Sequence, residues 1–260
     1  MKRVVTGKLV KNIFITGILS TAIISIAGTS ITPKAVKTPA VHSTIANNNA
    51  LLYEDLKLDS LGLTRDAYNY AMAGMEKLER EGKLTNTDIV SIIDFSLPST
   101  KKRLFVIDLK NGKVLFNTLV SHGRNSGTDM ATNFSNAPES FKSSLGFYVT
   151  GQTYRGEHGY SLRLEGAEEG INDNAMSRGI VMHSAAYVTE KLAKLQGYIG
   201  RSLGCPAVPE KLHRKIIEQI RNGTCLFLYS PDKYYLAHSK MLQQDTLMAR
   251  DVLQADTTIV

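Results

Sequence analysis

Between Ile89 and Tyr229 the chain is written in short runs of β-branched and aromatic residues broken by turn formers, and any fold must accommodate those runs as strands. Ile89 to Phe95 and Arg103 to Leu109 are the first two. Asn111-Gly112 then predicts a two-residue hairpin turn into a third run, Val114 to Val120. Gly146 to Thr150, Tyr160 to Leu164, Gly179 to Met182 and Cys225 to Tyr229 read as further strands. Helical spacing occurs twice. Ala67, Tyr70, Ala71, Gly74, Met75 and Leu78 mark a helix from Arg65 to Arg80, capped by Thr64 and stopped by Gly82. Leu212, Ile216, Ile217 and Ile220 mark another that opens at Pro209 and ends at Asn222-Gly223. The fold class is therefore mainly β (α+β).

The ends of the chain have a different composition. Lys2, Arg3, Lys8 and Lys11 precede an apolar run from Ile13 to Gly28, the order of a secretory leader, with small residues at Ser25-Ile26-Ala27. The run is short for a membrane span, so no span is expected once the leader is removed. The expected organisation is a signal peptide over 1–28, a Thr-, Pro- and Ala-rich linker over 29–49, and an N-terminal helical segment over 50–88. A main domain over 89–235 and a tail over 236–260 complete it. Residues Ser121 to Ser144 form a polar, Gly- and Ser-rich connection too long for an ordinary hairpin. Glu165, Glu168 and Glu169 read as a surface turn.

The formal net charge of +7 suits an anionic surface, but the basic residues form no stripe, and no zinc-finger, P-loop or dinucleotide motif occurs. Nucleic acid is therefore not expected as a partner; an anionic cell envelope fits the charge equally well. The two cysteines are Cys205 and Cys225. In an oxidising compartment they are candidates for a disulfide, yet a chain this long does not need one to hold its core.

Two segments are suited to chemistry. Ile180-Val181-Met182-His183-Ser184 delivers a histidine at the end of an apolar strand, and Gly200-Arg201-Ser202-Leu203-Gly204-Cys205-Pro206 places a thiol in a tight loop before a helix. Imidazole is matched to activating a thiol because it titrates near neutrality. The helix that follows favours a thiolate, and an acid-shifted thiol is expected. Backbone N–H groups of Gly204 and Cys205 are candidate donors to an oxyanion. A packed core cysteine and a Cys205–Cys225 disulfide remain open as plain alternatives.

These segments resemble the catalytic core of the YkuD-like L,D-transpeptidases, most closely the murein L,D-transpeptidase catalytic domain branch. The pattern is a histidine at a strand end followed by Ser-x-Gly-Cys, here His183 and Ser202-Leu203-Gly204-Cys205. Ser144 to Val149, Ser121 to Gly127 and His158 to Arg163 also resemble signatures of that branch. The resemblance implies a YkuD-like β-sandwich catalytic domain, with an N-terminal helix and a helix after the cysteine loop. It implies Cys205 as nucleophile, His183 as base and the Ser184 carbonyl as its orienter, acting without metal or cofactor on peptidoglycan stem peptides in the periplasm or cell wall. Many relatives carry Arg two residues after the cysteine, where this chain has Ala207, and His before the Gly-Cys, where it has Leu203. Arg201 or Arg163 is expected to supply the missing charge, with Ser202, His122 and His158 beside the substrate. The same residues would also serve an L,D-carboxypeptidase or another thiol hydrolase. A non-catalytic, disulfide-bonded envelope-binding protein is the third reading.

Overall fold

The computed structural model describes residues 49 and 51–242. The predicted leader, nearly all of the linker and the tail beyond 242 lie outside the described residues. Among those described, no helix is long and apolar enough to cross a membrane.

Helix α1 spans Arg65–Arg80, and its start is built as the sequence implies: the Thr64 hydroxyl accepts from Ala67 N at 3.3 Å. That hydroxyl also donates to Asp94 Oδ2 at 2.7 Å, tying the helix start to strand β1, Ile89–Asp94. Ala67, Ala71, Met75 and Leu78 face inward. Gly74 completes the stripe for a steric reason, since a Cβ there would stand 2.0 Å from the Phe147 ring.

Strands β2 (Leu104–Asp108), β3 (Lys113–Thr118), β4 (Gly146–Gly156), β5 (Gly159–Gly166), β6 (Val181–Ser184), β7 (Ala207–Val208) and β8 (Cys225–Tyr229) join β1 in one eight-stranded mixed sheet. Its order is β3-β2-β1-β8-β4-β5-β6-β7. Strand β8 pairs parallel with β1 and antiparallel with β4. It lies mid-sheet, covered by α1, and all five of its residues are buried, which explains a continuous apolar run instead of alternation. Beyond β3 the chain returns along the opposite edge of the sheet, where Ser121 N donates to Ala207 O at 2.8 Å. The sheet thus curls towards closure, with β7 inside the seam.

The hairpin turn departs from expectation. The last β2–β3 pair is Asp108↔Lys113, so four residues, not two, form the loop. The Asp108 carboxylate decides this, accepting both Asn111 N at 2.9 Å and Asn111 Nδ2, which folds the turn over its own first residue. Three short elements fall where no strand or helix was expected: helix α2 (Glu190–Gln196), strand β7 and helix α4 (Lys233–His238). Helix α3, Glu210–Ile220, buries Ile216, Ile217 and Ile220 and touches β1, β5 and β6.

Glu168 is no surface residue. Its carboxylate is buried, accepts from Phe147 N at 2.8 Å and Tyr235 Oη at 3.1 Å, and is bonded by Ser239 Oγ, so it clamps α4 to β4. Burial pushes its pKa up despite those donors.

Candidate functional site

Strand β6 ends at His183-Ser184, and β7 begins two residues after Cys205. The parallel pairing His183↔Ala207 and Ser184↔Val208 brings the two segments side by side. His183 and Cys205 both line one open cleft of about 740 Å³. His183 Nδ1 lies 2.8 Å from Ser184 O. A carbonyl only accepts, so Nδ1 carries the proton and Nε2 keeps its lone pair. This is the tautomer a base needs.

The cysteine loop is held from below. Ser202 N donates to His122 O at 2.9 Å, and the Ser202 hydroxyl accepts from Gly204 N at 3.1 Å while donating to Cys205 O at 2.6 Å. Two expectations change here. The Gly204 N–H is occupied within the loop, which leaves the Cys205 N–H as the loop's candidate oxyanion donor. Ser202 borders the cleft, but its hydroxyl is spent on the turn. Gly204 itself is required by geometry, at φ +126° with Lys142 O beneath it.

The thiol is half-buried and un-ionised at rest. Sγ receives Val181 N–H at 3.5 Å and donates to Gly179 O at 3.7 Å. Burial pushes its pKa up, opposed by the Val181 N–H and by Arg178. The acid-shifted thiol expected from the following helix is thus overturned, because loss of solvent outweighs the nearby positive groups. His183 is held below the usual imidazole value, first by burial and then by His158, with the Ser184 bond acting against them. Thiol and imidazole therefore rest as a neutral pair.

The disulfide left open as an alternative is not formed: Cys205 and Cys225 are both free. Cys225 is wholly buried on β8, opposite Val90 and Val149, and burial pushes its thiol far up.

The remaining candidates separate. His158 sits at the β4–β5 hairpin tip and stacks on His183, ring centroids 4.3 Å apart and planes 21° from parallel. Arg201 lines the cleft and donates to Gly127 O at 3.1 Å. Arg163 does not line it; its guanidinium lies over the Tyr154 ring at 4.7 Å. His122 is wholly buried away from the cleft. Its Nδ1 accepts from Arg103 Nη2 at 2.7 Å, so its Nε2–H donates to Gly127 O at 3.2 Å. Burial first, and Arg103 second, push this imidazole down to about 4. It cannot join His158 and His183 around a metal, and no such cluster occurs among the described residues.

The family described as L,D-transpeptidase catalytic domain matches residues 60–229, well over half of the sequence. The chain belongs to the L,D-transpeptidase catalytic domain family. No curated protein matches it significantly. Among solved structures it is similar to an L,D-transpeptidase from Mycobacterium smegmatis, with 13% identity, 56% of this chain and 60% of that one covered, and a TM-score of 0.36. It is also similar to the helical cell shape determining protein Pgp2 from Campylobacter jejuni, with 15% identity, coverage of 58% and 50%, and a TM-score of 0.39. For L,D-transpeptidase 1 from Mycobacterium tuberculosis the figures are 12% identity, coverage of 55% and 62%, and a TM-score of 0.32. The chain spans between 50% and 62% of the length of these three proteins.

In this member of the family, Arg178 is the site residue that sequence reasoning passed over. It lines the cleft, and Nη2 would lie 3.4 Å from a Cβ on Gly204. Its guanidinium donates to Ser135 O at 2.9 Å, Ser144 Oγ at 2.5 Å, Ser140 Oγ at 3.2 Å and Lys142 O at 2.7 Å. It therefore draws the long polar connection under the cysteine loop. An arginine in a polar stretch carries no local signal of that role.

Proposed function

We propose that this chain is an exported peptidoglycan L,D-transpeptidase working by acyl transfer through Cys205 in the periplasm or cell wall. His183 Nε2 takes the thiol proton as sulfur attacks the carbonyl carbon of the third residue of a stem tetrapeptide. The tetrahedral oxyanion is met by the Cys205 N–H, with Arg178 supplying positive charge behind the loop, in place of Arg201 or Arg163. The C–N bond to the terminal D-alanine breaks, and the imidazolium returns the proton to the departing amine. An acceptor amine then adds to the thioester and gives its proton to Nε2, and the C–S bond breaks as sulfur regains the proton. No metal or organic cofactor enters these steps.

The observation that carries the reading is the His183 Nδ1–Ser184 O bond in the cleft that also holds Cys205. Intact mass after incubation with purified disaccharide-tetrapeptide tests it. A thioester adduct on wild type and not on Cys205→Ala, with D-alanine and cross-linked dimers, is expected. D-alanine and tripeptide without dimers would make the chain an L,D-carboxypeptidase; no adduct and no D-alanine would sink the catalytic reading.

A further inference from the structure

One of the two backbone donors expected at the cysteine loop is spent, because the Gly204 N–H is held by the Ser202 hydroxyl. Oxyanion sites are built from preorganised donors, and a side-chain hydroxyl serves as well as an amide. Arg178 and Arg201 line the cleft, but their guanidinium groups are engaged by backbone carbonyls, those of Ser135 and Lys142 for the first and of Gly127 for the second.

Tyr187, four residues beyond His183, is half-buried and lines the same cleft. Its ring lies against Gly200, where a Cβ would stand 2.4 Å from Tyr187 Cγ, and its carbonyl accepts from Gly200 N at 3.1 Å. The entry to the cysteine loop thus holds the tyrosine from one side, and Ser121 holds it from the other. That serine is wholly buried; its Oγ accepts from Ala207 N at 3.2 Å, and its side chain is hydrogen-bonded to the Tyr187 phenol. With the Ala207 N–H on one lone pair, the serine proton points at the phenol oxygen, and the bond favours the phenolate, as a donor does. The phenol's own proton is left for the cleft. Burial pushes the phenol pKa up, outweighing the Ser121 bond, and the Cys205 sulfur within electrostatic reach adds to it, so that proton stays in place at neutral pH.

We infer that the Tyr187 hydroxyl is a catalytic donor to the tetrahedral oxyanion beside the Cys205 N–H, oriented by the chain of bonds from Ala207 N–H through Ser121. This rests on the acyl-transfer reading. No proton changes hands: the hydrogen bond from the phenol shortens onto the oxygen as the S–C bond forms. It relaxes when the carbonyl re-forms and the C–N bond to D-alanine breaks. The Ala207 backbone, paired with His183 across β6 and β7, therefore also sets the direction of the phenol proton.

Tyr187→Phe keeps the ring on Gly200 and removes only the donor. Single-turnover acylation of Cys205 by purified disaccharide-tetrapeptide, read by intact mass, is expected to slow about a hundredfold at saturation, with the half-saturating concentration unchanged. Acylation by p-nitrophenyl acetate, which also passes through an oxyanion, should slow about tenfold. Alkylation by iodoacetamide displaces iodide at a saturated carbon and forms no oxyanion, so its rate and pH midpoint should not move. The melting temperature is expected to fall by about 2–4 °C, as for one lost hydrogen bond. Alkylation slowed as much as acylation would make Tyr187 a brace for the thiol and overturn the assignment. So would a raised half-saturating concentration at an unchanged maximal rate, or no slowing of acylation by the ester. If the tetrapeptide forms no adduct on wild type, the acyl-transfer reading fails on its own, and the ester compared with iodoacetamide still decides the role of Tyr187.

Discussion

Gly204→Ala isolates what holds the thiol loop in place. At φ +126° a side-chain-bearing residue is strained by about 1–3 kcal/mol. The added Cβ would also stand 2.9 Å from Lys142 O and 3.1 Å from Ile180 Cδ1. The carbonyl cannot retreat freely, because it accepts from Arg178 Nη2 at 2.7 Å. Overpacking of this kind adds about 1–2 kcal/mol, for a total of about 3 kcal/mol. In a fold of this size that lowers the melting temperature by roughly 6–12 °C. Gly197→Ala provides the reference: it lies at φ +78° at the end of α2 with nothing within 4 Å of the added carbon, so only strain of about 1 kcal/mol applies. Thermal unfolding followed by circular dichroism measures both. Equal losses in the two variants would refute the claim that the Lys142–Arg178 layer braces Gly204.

Three further outcomes follow from the electrostatics. Alkylation of Cys205 should reach its midpoint above the ordinary cysteine value of about 8.5, and Arg178→Gln should raise it further while Arg178→Lys largely does not; a midpoint below the ordinary value would contradict the neutral resting pair. His158→Phe keeps a ring on His183 but removes a chargeable neighbour, so the acid limb of the acylation pH profile should move up; an unmoved limb would leave His158 with packing alone. Glu168 has a raised pKa, so the folded state holds its proton more tightly than the unfolded chain does. Its contribution is present below the unfolded value and is lost as pH climbs through the folded one. The stability of wild type relative to Glu168→Gln should therefore fall as pH rises above the ordinary glutamate value of about 4.3, read as the difference in urea midpoints, and a constant difference would refute it.

What could be read from the sequence was local. Helix α1 was legible end to end, because Thr64 caps it and its apolar spacing lies within the helix itself. The strand runs were legible for the same reason, and the β6–Ser-x-Gly-Cys pair was legible as a motif. Errors arose where a side chain answers to something distant. Asn111-Gly112 names a tight turn, but the Asp108 carboxylate lengthens it. His122 sits among loop residues, yet Arg103, on the strand side of the sheet, reaches it and buries it. Glu168 lies in an acidic run that looks solvated until Tyr235 and Ser239 return to it from 67 and 71 residues away. Arg178 acquires its place only when residues 135–144 fold back beneath the cysteine loop.

The position of β8 dictates the order in which the fold can be completed. Strands β1–β3 and β4–β7 are two ribbons, and the strand that pairs with both is the last among the described residues. Until residues 225–229 emerge from synthesis, β1 and β4 each present a bare edge with no partner. A contact between Val90 and Cys225 closes a loop of more than a hundred residues, the kind of non-local pairing that slows folding. Nascent chains shorter than about 230 residues should thus carry unpaired β1 and β4 edges, the state most open to mispairing.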